Sequence, residues 1–224
     1  MITNTQFLGP FEGANSYLKK EFEENGTIIK FDKDNHPFDV DSTLKWFFII
    51  ISGKVKIYEI NFETNREQTL YLLVKGDMYD VVTLLDNRPH EVMVDVLEKG
   101  EAIRFPINKV REWMRKFPAF EQLIYKYIAT QIRNVEHLAI DLSLYDTKER
   151  LLKLLLRNVE TLEKKGVNIL EKLSHSEIAN LIGTVRHIID RHLKELKDEK
   201  IIEKEKRKIV LKDAKKLLEM LKSY

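Results

Sequence analysis

No cysteine occurs among the 224 residues, so disulfides, thiolate chemistry, cysteine-ligated iron-sulfur clusters and Cys-type zinc sites are all excluded. Long apolar runs are missing as well. The longest, WFFIII at residues 46–51, falls far short of the roughly 20 residues that cross a bilayer. The opening MITNTQFLGPFEG lacks a basic start followed by an apolar core, and the expected location is the cytoplasm, with no membrane partner. Charge of neither sign dominates: 38 Lys and Arg face 36 Asp and Glu, a net of +2. With 43% hydrophobic and 33% charged residues, the chain has an ordinary globular composition and is long enough for one large domain or two modest ones.

The balanced total hides an uneven split. Residues 1–145 carry 18 Lys and Arg against 22 Asp and Glu, a net of −4, whereas residues 146–224 carry 20 against 14, a net of +6. A basic half joined to an acidic one is the electrostatic footprint of a chain in which one domain approaches a phosphate backbone and the other does not.

From about residue 25 to 106 the sequence has an all-β rhythm, with Gly26, Gly53, Gly76 and Gly100 spaced 27, 23 and 24 residues apart. Residues 46–51, a turn at Ser52-Gly53, and Val55, Ile57 and Tyr58 predict a hairpin rich in β-branched and aromatic residues. Val92, Val94 and Val96 alternate toward one face before a turn at Lys99-Gly100, and residues 102–105 resume a strand. A barrel or jelly roll fits this pattern best. Residues 9–22 read as loop and a short helix.

A long helix is expected from Pro118. Ile124, Ile128, Gln131, Val135, Leu138, Leu142 and Tyr145 recur in steps of four and three, the spacing of a coiled-coil seam. Its β-branched members favour a parallel pair, and the polar Gln131 would specify register. The chain is therefore expected to be a homodimer. Phe120, Leu123 and Tyr127 form a second face, suited to packing on the β domain of the same chain. Residues 147–163 then predict an apolar helix capped by Asp146 and broken at Gly166, and residues 213–221 a short amphipathic one.

Residues 173–202, LSHSEIANLIGTVRHIIDRHLKELKDEKII, hold the most specific pattern. Ser174 and Glu177 form an S-x-x-E capping box that starts one helix, with Ile178, Leu181 and Ile182 on its apolar stripe and Ala179 small at a crossing. Gly183 ends it. A second helix over residues 184–199 buries Ile189, Leu193 and Leu196 and leaves Arg186, His187, Asp190, Arg191 and Lys194 together on the other face. Those are residue types that read base edges in a groove. Ile201 and Ile202, a charged tip, and Ile209, Val210 and Leu211 then predict a strand-turn-strand wing whose tip, Lys204, Lys206, Arg207 and Lys208, suits phosphates.

In this order the parts resemble the Crp/Fnr, or catabolite activator-like, family of bacterial transcription regulators. The specific echoes are SGKVKIY at 52–58, LVKGDMYDVVTLL at 73–85, FPAFEQLI at 117–124, DTKERLLKLLL at 146–156 and SHSEIANLIGTVRHIIDRHLKEL at 174–196. The resemblance implies an α+β chain: a cyclic-nucleotide-binding-like β-barrel at 1–117, a dimerisation helix at 118–145 and a winged helix-turn-helix at 146–224. It implies double-stranded DNA as partner, a palindromic site, RNA polymerase as partner if the protein activates, and a small-molecule effector in the barrel. Arg186, His187 and Arg191 match the family's reading positions, with His187 departing from the usual acidic residue, and Ser174, His175 and Ser176 lie where phosphate contacts are made. Asp190 suits a cytosine amine, or orients Arg186 or Arg191.

Members that bind cyclic nucleotides carry a Gly-Glu pair for the ribose and an Arg followed by Ser or Thr for the phosphate. Tyr79, Asp80, His90 and Glu91 take those places here, and a glutamate beside a phosphate is repulsive, so cyclic AMP is not the expected effector. The cofactor is left open. Haem would need an axial ligand such as His36, His90 or His137, none of them in a ligand motif, and iron-sulfur sensing is closed off. A cupin-type metal enzyme would need two histidines and a carboxylate, for which His36, His90 and Glu91 lack H-x-H spacing. The sequence therefore reads as a regulator, with no catalytic and no metal site.

Overall fold

The computed structural model describes residues 16–205 and 208–222. Its elements are α1 (Ser16–Asn25), β1 (Thr27–Phe31), α2 (Val40–Thr43), β2 (Trp46–Asn61), β3 (Arg66–Leu73), β4 (Met78–Tyr79), α3 (Val81–Asp86) and β5 (Met93–Pro106). After these come α4 (Ile107–Lys116), α5 (Pro118–Leu144), α6 (Thr147–Lys165), α7 (His175–Ile182), α8 (Arg186–Asp198), β6 (Ile202–Glu205), β7 (Lys208–Leu211) and α9 (Ala214–Lys222). No helix among the described residues is long and apolar enough to cross a membrane. Contacts divide the chain into two compact units, one holding Tyr71–Asn134 with the chain up to Ile57, the other Tyr58–Leu70 with the chain from Val135 on.

The strands β1 to β5 form an antiparallel sheet in the order β1-β5-β2-β3, with β4 paired to β2. The expected turns at Ser52-Gly53 and Lys99-Gly100 are absent: β2 and β5 each run unbroken through them. The glycines serve a different purpose there. Gly53 has φ +90°, and a Cβ on Gly100 would lie 2.0 Å from the Ser52 carbonyl oxygen, so both are needed where the two strands approach closely. The alternation of Val92, Val94 and Val96 holds, since all three are more buried than Met93 and Asp95.

Two apolar clusters cover the sheet. Inside the β domain, Phe31, Phe38, Phe48 and Tyr79 pack edge to face with centroids 5.1 to 6.2 Å apart. In the other cluster Phe22, Phe105, Trp113 and Phe120 join α1, β5, α4 and α5. Helix α4 escaped the sequence reading, although Ile107, Val110, Trp113 and Met114 recur at helical spacing and are all buried.

That second cluster takes Ile124 out of the expected seam. Ile124 is 0% exposed among Trp113 and Phe120, so its side chain is not offered to a partner. Gln131 hydrogen-bonds the Tyr127 hydroxyl, which itself donates to the Met78 carbonyl at 2.9 Å. Leu138 is half-buried, and Tyr145 lies under Lys153 Nζ, 3.0 Å from its ring centroid. The exposed apolar residues of α5 include Tyr125, Ile132, Val135, Ala139 and Leu142, which share a stripe with half-buried Ile128, and also Ile140 and Leu144 off that stripe. Residues 125, 128, 132, 135, 139 and 142 step by three and four: 128, 135 and 142 keep their places in the expected heptad, while 125, 132 and 139 take the places of 124, 131 and 138.

In the second unit α6, α7, α8 and the hairpin β6-β7 enclose Leu151, Leu152, Leu155, Ile178, Ile182, Ile189, Leu193, Leu196 and Ile201. Each such side chain contributes on the order of 1.5 to 3 kcal/mol on burial. Asp146 and Glu149 make a reciprocal capping box at the start of α6, and Gly166 caps its end with φ +67°.

Candidate nucleic-acid interface

The local chemistry of α7 follows its sequence. Ser174 accepts from the Glu177 amide while Glu177 accepts from the Ser174 amide, which fixes the first turn. Gly183 closes the helix with φ +68°, and an added Cβ there would lie 2.4 Å from Leu142 Cδ2 and 2.8 Å from Gln68 Oε1. The left-handed backbone of that turn is what favours glycine there. The arm Tyr58–Leu70 meets α7 through Gln68, whose Nε2 donates to the Asn180 carbonyl at 3.1 Å. Arm and helix border an open groove of about 940 Å³ lined in part by Glu59, Arg66, Asn180, Thr184 and Arg186.

Helix α8 begins at Arg186, two residues later than expected, because Val185 is extended and serves as a cap without a side-chain hydrogen bond. Ile189, Leu193 and Leu196 are buried against the core, and Arg186, His187, Asp190, Arg191 and Lys194 are all exposed, as the spacing predicts. The two arginines are 71% and 61% exposed in their side chains, free of any packing role. Ser176 is exposed on α7, while the Ser174 hydroxyl is engaged in the cap. Lys206 and Arg207, expected in the wing, lie outside the described residues; β6 and β7 pair antiparallel from Ile202↔Leu211 to Glu205↔Lys208.

Of the contacts on this surface, the sequence offered only the orienting of an arginine by Asp190. His175 Nδ1 meets Asp190 Oδ1 across the α7-α8 turn, and Asp190 Oδ2 lies 3.6 Å from Arg186 Nε. Glu195 sits 3.9 Å from Arg191 Nε and 3.2 Å from Lys148 Nζ on α6, and the Lys148 hydrogen bond holds its carboxyl below the usual range. His192 is buried, with Nε2 2.9 Å from Thr147 Oγ1 and Nδ1 3.6 Å from Glu195.

The expected effector residues do not form one polar pocket. Tyr79 is buried in the aromatic cluster, its hydroxyl raised in pKa by burial and by the nearby Asp80 and Asp39 charges. Asp80 caps α3 from a left-handed backbone (φ 57°, ψ 53°) and bonds His90 Nδ1 at 2.9 Å. Burial raises its carboxyl, but hydrogen bonds from His90 and Thr83 together with the His90 charge outweigh it and hold the group below its ordinary value. The other carboxylate oxygen, Oδ2, is buried without a hydrogen-bond partner. Glu91 is exposed, His36 stacks on Phe38 and His137 is exposed on α5. Among the described residues no three His, Asp or Glu side chains converge as a metal site, so the cupin constellation of His36, His90 and Glu91 is not assembled.

Comparison with known proteins agrees with this architecture. Residues 28–117 match the cyclic nucleotide-binding domain and residues 149–220 the Crp-like helix-turn-helix domain. The chain is 28% identical over 207 residues to a global nitrogen regulator of Nostoc sp., covering 89% of this chain and 87% of that protein. It is 25% identical over 173 residues to a CRP-like cAMP-activated global transcriptional regulator of Mycobacterium tuberculosis, covering 76% and 77%. Among solved structures, FixK2 from Bradyrhizobium japonicum is similar with a TM-score of 0.75 at 18% identity, covering 87% of this chain and 96% of that one. A CooA mutant from Carboxydothermus hydrogenoformans gives 0.72 at 21%, covering 99% and 97%. These two likenesses speak for the fold, and the relatives are regulators rather than enzymes. With both domain models in this order and α8 presenting its polar face, the chain belongs to the Crp/Fnr family of DNA-binding transcription regulators.

Proposed function

We propose that the protein acts as a cytoplasmic homodimer that reads a palindromic DNA site, with one α8 of each copy in the major groove. One observation carries this reading: Arg186, His187, Asp190, Arg191 and Lys194 share the exposed face of a helix whose other face is core. Arg186 and Arg191 are the specific readers, each suited to guanine O6 and N7, while Ser176, Lys194 and Arg207 supply phosphate contacts. The exposed stripe of α5 from Tyr125 to Leu142 pairs the copies. In this reading residues 1–117 are the sensor, 118–145 the dimer helix and 146–224 the reader, and RNA polymerase is a partner if the protein activates. Selection from a random duplex pool tests it. The expected product is two inverted half-sites about one helical turn, ~34 Å, apart. An unrepeated half-site, or no consensus, would sink it.

The effector is not cyclic AMP. Left-handed backbone, which glycine tolerates best, lies at Asp80 and so aligns a Gly-Glu pair with Asp80 and Val81, leaving no acid for the ribose. Where an arginine would meet the phosphate stand His90, already paired to Asp80, and the acid Glu91. Asp80 adds a buried negative charge, which repels a phosphate. The residues present do not fit the nucleotide. Millimolar cyclic AMP is expected to leave Tm unchanged; a site filled at a hundredfold excess over its Kd would add about 2.7 kcal/mol and raise Tm by several degrees.

A further inference from the structure

The two exposed arginines of α8 have matching neighbours, each with an acid one turn along within ion-pair distance. Asp190 turns Oδ2 toward Arg186 Nε and Oδ1 toward His175 Nδ1 on α7. Glu195 turns Oε1 toward Arg191 Nε and Oε2 toward Lys148 Nζ on α6, with His192 Nδ1 beside that same oxygen. In each case an acid one turn along α8 spans from the arginine to a basic side chain on a different helix, so the acid is fixed from outside its own helix. Both tethers face Nε at 3.6 and 3.9 Å, which leaves the two terminal nitrogens of each guanidinium for the paired acceptors of guanine.

We propose that His175 and Lys148 are positioning residues for base reading: anchored through Asp190 and Glu195, they hold Arg186 and Arg191 with the terminal fork presented to the DNA. This rests on the reading of α8 as the recognition helix. His175 then acts on sequence choice, in place of the phosphate contact expected from its position at the start of α7. Arginine carries a large rotamer entropy, and a side chain already held in its bound direction loses less of it on docking. Freeing one arginine is therefore expected to weaken the selected site by about 2- to 10-fold per half-site. Asp190, rather than contacting cytosine, belongs to the tether.

The two roles differ in their dependence on salt. A lost phosphate contact weakens all duplexes alike and reduces the slope of log K against log salt by about 0.9, whereas a lost tether weakens only the preferred base and leaves the slope alone. Fluorescence anisotropy of the full-length protein with the selected operator, its single base-pair variants and an unrelated duplex, over a salt series, separates them. For His175→Ala the expected result is loss of preference at the pair read by Arg186, with a wild-type salt slope. Lys148→Met is expected to do the same at the pair read by Arg191. His175→Gln, which keeps a donor toward Asp190, is expected to recover part of the preference. A uniform loss with a shallower slope, a preference unaltered in both variants, or lost selectivity at every position at once would overturn the proposal. A wild-type protein with no sequence preference at all would instead sink the DNA-reading assignment beneath it.

Discussion

Arg186→Ala is expected to abolish selective DNA binding while leaving the fold intact. A bidentate arginine-guanine contact discriminates by about 1 to 3 kcal/mol, and a two-fold site contains it twice, so the loss is about 2 to 6 kcal/mol, or roughly 30-fold to more than ten-thousand-fold. Arg191→Ala should behave alike. Neither side chain supports the core: both are largely exposed on α8, and each lies beside an acid one turn away, Asp190 for Arg186 and Glu195 for Arg191. Exposed pairs of that kind contribute little to stability. Gel-shift titration on the selected operator and thermal unfolding, run on the same preparations, should show a large affinity loss beside an unchanged melting transition. An unchanged affinity would mean that α8 does not read the site.

Ile132→Asp combined with Val135→Asp is expected to give a folded monomer that has lost operator affinity. Both residues are exposed, 55% and 42%, so the change removes no core packing from the single chain. They sit in the middle of the α5 stripe, where two opposed copies would bring four carboxylates together at an apolar seam. A monomer engages one half-site at a time. The advantage of joining two binding modules, about 10² to 10⁴ in affinity, is then forfeited. Sedimentation velocity should find half the wild-type mass with unaltered circular dichroism. Changing Ile124 should instead unfold the first unit, because Ile124 is wholly buried in it, and that contrast separates the exposed stripe of α5 from the buried start of the seam first expected.

How far the sequence reached is clearest at such positions. Local chemistry was legible: the Ser174-Glu177 box, the left-handed Gly183 and the opposed faces of α8 all stand where spacing and residue type put them. These depend on neighbours within one or two turns. The placing of Ile124 on the seam failed because a face packed on its own chain and a face offered to a partner share one apolar period, and only the tertiary contacts of Phe120 and Ile124 tell them apart. Glycine marked Gly53 and Gly100 as special, but a close approach of two strands and a turn demand the same residue. Asp190 was legible as a residue that could orient Arg186, one turn away, but its anchor His175 and the Lys148 anchor of Glu195 were not, since both reach those acids from other helices. The same holds for buried His192, whose partner Thr147 is 45 residues away.

The most direct measurement is a double-mutant cycle between Arg186 and the guanine it reads, made by replacing that guanine in each half-site with 7-deazaguanine, which lacks the N7 acceptor. If Arg186 reads guanine in the major groove, the substitution weakens wild-type binding by about 1 kcal/mol or more per half-site and costs Arg186→Ala nothing further. An equal penalty in both proteins would contradict it, and with it the placement of α8 in the groove.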